Sequence, residues 1–179
     1  MTERFPKIRF GLLWCWALLL QLVWWFPWQP RVIATGVDNS FRYALNELFV
    51  AGAQFGTAVL VQYGPYGFLK NDLYHPETVH LLVGIRIVLF CVFAALAARA
   101  SSRLGLGVVR ASVWIALLTV VARFGEPYFM TLMALAFLVF WMAGSSEERI
   151  MWSPVGFVMA LAGLMQFTYA ILAVAVISA

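Results

Sequence analysis

A chain of 179 residues with 64% hydrophobic and only 11% charged side chains is not an ordinary soluble domain, where roughly a quarter of residues are charged. Sparse charge and just 2 cysteines also exclude a disordered chain, a coiled coil and a disulfide scaffold. The net charge of +4 comes from Lys and Arg scattered among apolar stretches, so with a mean hydropathy of +0.89 it points to membrane topology and not to nucleic acid.

The pattern predicts an all-α fold: a polytopic transmembrane helical bundle, one domain over 1–179. The first apolar run, 10–28, follows Arg4, Lys7 and Arg9 and ends in Trp24, Trp25, Pro27 and Trp28, an interfacial aromatic belt. A cleaved signal peptide would be shorter and followed by a small-x-small site, so the run is read as an uncleaved span. Further spans are expected at 79–98, 108–122, 127–143 and 154–179. The last stays apolar to Ala179, which suggests the N-terminal piece of a longer protein; a chain ending at the outer interface is the alternative.

Basic residues set the orientation. Arg4, Lys7, Arg9, Arg99, Arg103, Arg110 and Arg149 fall in short segments on one side. Arg31, Arg42, Lys70 and Arg123 are spread over longer ones on the other. The positive-inside rule then puts the N-terminus in the cytoplasm of a plasma (inner) membrane, with residues 29–78 and the Arg123–Glu126 turn outside.

The 29–78 loop is too long for a connector. Residues 38–52 predict an amphipathic interfacial helix. Phe41, Ala44, Leu45, Leu48 and Phe49 make the apolar face; Arg42, Asn46 and Glu47 make the polar one; Gly52 is the stop. Residues 54–62 read as extended, and Tyr63-Gly-Pro-Tyr-Gly67 as a turn. Lys70, Asp72, His75 and Glu77 read as a solvated rim.

An Asp after the first span, an interfacial helix with an aromatic pair, a Gly-x-x-x-Gly spacing and an aromatic-Gly-Pro turn, from Val37-Asp38 to Gly67-Phe-Leu69, together resemble the first outer loop of the GT-C superfamily. These are membrane glycosyltransferases, including protein mannosyltransferase and aminoarabinose transferase branches. Arg123-Phe-Gly-Glu126-Pro-Tyr resembles the family's acidic residue in the next outer loop. Asn39 stands where the family often has a second acid, and Glu126 where Asp is commoner. The resemblance implies a polyprenyl-phosphate sugar donor and a lipid, glycan or protein acceptor, and it makes Asp38 the catalytic carboxylate.

The chemistry fits those residue types. A glycosyl phosphate carries its own leaving group, so the reaction needs a base for the acceptor and cations for the developing phosphate charge. Asp38 is the candidate base; Arg42, Arg86 and Arg123 are the candidate phosphate contacts. Tyr63 and Tyr66 are placed to stack on a sugar, and Glu126 to position the acceptor or share a divalent cation with Asp38. Each has a plainer reading. Asp38 is also a helix cap, Glu126 with Arg123 an interfacial ion pair, the tyrosines turn packing, and Arg86 a snorkelling charge. Cys15 and Cys91 read as apolar packing residues. Neither His has zinc-like spacing. The competing functions are a transporter or flippase, which wants charge at mid-membrane, and a non-catalytic membrane subunit.

Overall fold

The computed structural model describes residues 4–29, 37–54, 65–70, 73–123 and 126–141. In chain order these form α1 (Arg4–Trp24), α2 (Val37–Val50), a 3₁₀ turn (Gly67–Lys70), α3 (Val79–Arg103), α4 (Val108–Val121) and α5 (Glu126–Trp141). Among the described residues every regular element is helical, so the fold class is all-α. The fifth apolar run, 154–179, lies outside the described residues. One described helix, α3, is long and apolar enough to cross a membrane. Ile8–Trp24, within α1, and α4 are apolar but shorter.

The helix ends have local causes. After α2, Gly52 takes φ +64°, a conformation that only glycine adopts without strain. The Ala53 N–H then reaches the Leu48 carbonyl and the Gly52 N–H that of Phe49, a Schellman closure. Gly105, at φ +65°, ends α3 in the same way through Ser101 and Ser102. α3 runs one turn past the expected Ala98. Ser101 and Ser102 return their hydroxyls to the carbonyls of Ala97 and Ala98, at 2.8 and 3.0 Å, and so remain within the helix.

The chain divides into two compact units, with the boundary inside α3 between Arg86 and Ile87. One contains α1, the rest of α3, α4 and α5; the other contains α2, the 3₁₀ turn and the start of α3.

In the first unit α1 packs along α4, and α4 against α5. Leu13, Ala17 and Gln21 of α1 are buried at four-residue spacing, as are Ala111, Ile115 and Thr119 of α4. The Trp16 indole donates to the Ser112 carbonyl at 3.2 Å and that of Trp25 to Thr119 at 3.0 Å, so the two helices run in the same direction. Trp25 is therefore a packing donor of this unit, whereas Trp24 is exposed. The Trp14 indole reaches the Cys91 carbonyl of α3 at 3.2 Å.

A buried polar knot ties three helices. The Gln21 amide donates to the carbonyls of Phe90 and of Ala17, both at 3.3 Å. The Tyr128 hydroxyl lies 2.8 Å from Gln21 Oε1 and 3.1 Å from the Leu89 carbonyl, two acceptors sharing one proton. Phe90, Phe93 and Phe129 surround the Tyr128 ring, with Phe93 stacked at 5.3 Å. Without bulk water inside, such bonds fix helix register where apolar packing alone tolerates sliding. They also make α1 an integral helix of the unit.

Candidate functional site

The second unit is built on α2. Leu45 is buried, and Phe41, Leu48 and Phe49 are half-buried, which matches the apolar periodicity of the sequence. Phe49 packs on Phe68 and Tyr66, with ring centroids 4.7 and 5.5 Å away, and Phe68 and Leu69 of the 3₁₀ turn are fully buried. This aromatic cluster holds the turn against α2. The Tyr66 ring is engaged in that packing.

Asn46, expected on the polar face, is buried. Its Oδ1 accepts the Thr78 hydroxyl at 2.6 Å, and its Nδ2 donates to the Arg42 carbonyl at 3.3 Å. A buried amide is tolerable when its donors and acceptors are used in this way. His75, expected in a solvated rim, is buried as well. Its Nδ1 accepts the Glu77 backbone N–H at 3.3 Å, so the ring proton sits on Nε2, which donates to Glu47 at 3.2 Å. The ring also lies 5.3 Å from that of Tyr43. Both partners are far away in sequence, and a lone His or Asn gives no signal of such a partner.

Glu47 also accepts the Tyr43 hydroxyl. That hydrogen bond, then desolvation, then the Glu47 charge raise the Tyr43 pKa above its ordinary 10.0. The raised value favours the neutral phenol. The interaction therefore holds below pH 10 and is lost as pH rises through the folded-state value. In a phenolate absorbance titration, Glu47→Gln should shift the ionisation of one tyrosine to lower pH. An unchanged curve would mean that this bond is absent in solution.

The candidate residues fall as follows. Asp38 is the second residue of α2, and Arg42, one turn later, is exposed. Arg86 is fully buried and its Nη2 donates to the Leu69 carbonyl at 3.4 Å. With Tyr66 these belong to the second unit. Exposed Arg123 and Glu126, the first residue of α5, belong to the other; the Arg123 carbonyl accepts the Tyr128 N–H at 3.1 Å. Tyr63 and the side chains of Asp38 and Glu126 lie outside the described residues, and with them the candidate cation pair.

Within the second unit, then, Arg86 is buried and Arg42 is exposed on α2, one turn after Asp38. No protein-family model, curated protein or solved structure matches the chain.

Proposed function

We propose that the chain belongs to a GT-C-type membrane glycosyltransferase, which moves a sugar from a polyprenyl-phosphate donor to a lipid, glycan or protein acceptor on the outer face. The observation that carries this reading is the second unit. Its residues 27–86 bring α2, with Asp38 and Arg42, together with Arg86 in one compact fold. A connector or solvated loop has no reason to form a compact unit that packs the 3₁₀ turn on α2 and buries an arginine on the Leu69 carbonyl of that turn.

In this mechanism Asp38 removes the proton from the acceptor hydroxyl as its oxygen attacks the anomeric carbon. The bond from that carbon to the phosphate oxygen breaks, and polyprenyl phosphate leaves with the electron pair. Arg42 stabilises the phosphate charge. Tyr63 supplies a face for the sugar. Tyr66 packs on Phe49 and Phe68.

The membrane setting is a five-span bundle with a cytoplasmic N-terminus. Its support is the length of α3, together with apolar faces left exposed on α1 (Ile8, Leu12, Leu19, Val23) and on α4 (Val109, Val113, Leu117, Val121). A periplasm-dependent phosphatase fused after Gln54 is expected to be active and one fused after Gly105 inactive. The reverse pattern would overturn the orientation.

The test of function is release of polyprenyl phosphate from a polyprenyl-phosphate hexose or aminopentose by membranes containing the full-length protein. Release that depends on Asp38 supports the reading. Failure to turn over any such donor, alongside solute flux that survives loss of Asp38, would replace it with a transporter.

A further inference from the structure

The contacts of α2 are of two kinds that do different things. Leu45, Leu48 and Phe49 bury apolar surface, which drives association without fixing direction. Hydrogen bonds fix direction, and two consecutive α2 residues make them: Asn46 with Thr78, and Glu47 with His75. Consecutive positions on a helix lie about 100° apart around its axis. Two such attachments therefore fix the helix in rotation, as one attachment or an apolar stripe does not.

We propose that Asn46, Glu47, His75 and Thr78 form a polar latch that sets the rotation of α2, and so act as positioning residues for Asp38 and Arg42. The proposal rests on the transferase reading for its consequence, but the latch itself is independent of it. The receiving side is well made. His75 and Thr78 belong to the turn that opens α3: the His75 carbonyl accepts the N–H groups of Thr78 and Val79, and the Thr78 carbonyl accepts that of Leu82. The turn is thus continuous with a long helix. On the α2 side the chain of bonds continues, since Asn46 Nδ2 holds the Arg42 carbonyl one turn back toward Asp38. Tyr43 backs the latch from the same helix, its ring against His75 and its hydroxyl on Glu47.

The leverage is considerable. A rotation of about 30° would move a side-chain end at a radius of ~6 Å by about 3 Å. Misplacement of a reacting group by even about 1 Å is enough to cost on the order of 100-fold in rate. The latch residues touch neither donor nor acceptor in this account; they act through the helix.

The experiment is hydrogen exchange on the full-length protein in lipid nanodiscs, read at the α2 amides, with decaprenyl phosphate binding measured on the same samples. Thr78→Val removes the hydroxyl and keeps the shape; Thr78→Ser restores it. The expected result for Thr78→Val is roughly tenfold faster α2 exchange, the equivalent of about one net hydrogen bond. The α1 and α4 amides should be unchanged and decaprenyl phosphate should bind several-fold more weakly, with Thr78→Ser near the original values. Glu47→Ala, at the exposed end of the latch, should give the same pattern if Thr78→Val does not accumulate. Unchanged α2 exchange in these variants would overturn the latch. Faster exchange that Thr78→Ser reverses, in a protein that never binds decaprenyl phosphate, would uphold the latch and overturn the transferase reading.

Discussion

Asn in place of Asp38 is expected to reduce sugar transfer by roughly 10²–10⁴-fold, the usual contribution of a positioned general base, with accumulation in the membrane unchanged. The substitution separates two roles that share one residue. Asp38 lies in the first turn of α2, where a carboxylate also helps the helix start. Asn keeps the shape of the side chain and gives up only the charge's favourable interaction with the helix start, about 0.3–1 kcal/mol, so α2 is kept while the base is removed. Asp38→Ala would lose both, and its failure would be uninformative. Full transfer by the Asn variant, measured as polyprenyl phosphate released per protein, would remove Asp38 from the mechanism.

Truncating Tyr128 to Ala should destabilise the first unit by about 3–5 kcal/mol, the range for losing a large buried ring. The ring is fully buried among Phe90, Phe93 and Phe129, and its hydroxyl meets Gln21. Tyr128→Phe keeps the ring and removes the proton shared by Gln21 Oε1 and the Leu89 carbonyl, which should cost about 1 kcal/mol. Thermal unfolding in detergent, followed by aggregation onset, should therefore rank the original protein above Phe and Phe well above Ala. Equal loss in both variants would put the hydrogen bond, not the ring, in charge of the packing.

The parts of this fold that can be read from sequence are those set by near neighbours. α2 shows in its apolar spacing and its glycine stop, and α4 in its mostly apolar run, because both signals lie within the helix itself. α3 is harder to bound. Arg99, Ser101, Ser102 and Arg103 look like a loop until the serine hydroxyls are seen returning to carbonyls four residues back. The polar pairs are not legible at all. Asn46 meets Thr78 across 32 positions and Glu47 meets His75 across 28, so their burial depends on a fold that local patterning does not encode. For the same reason Gln21 reads as a minor polar interruption in the first apolar run, yet it joins α1 to α3 and α5. Of the candidate site, α2 and its order of residues are visible in sequence; the company that Arg86 keeps is not.

Arg86 lies seven residues into α3, about 10 Å along the helix axis. In the five-span arrangement that depth would cost about 2.5–3.5 kcal/mol for a charge facing lipid. Its guanidinium instead meets the Leu69 carbonyl, so protein backbone from the loop does part of the solvating that water does elsewhere. Docking of the loop and seating of α3 are thereby thermodynamically coupled, and the coupling is reciprocal. A loop that peels away raises the cost of keeping α3 in place, and a correctly seated α3 draws the loop down by the same free energy.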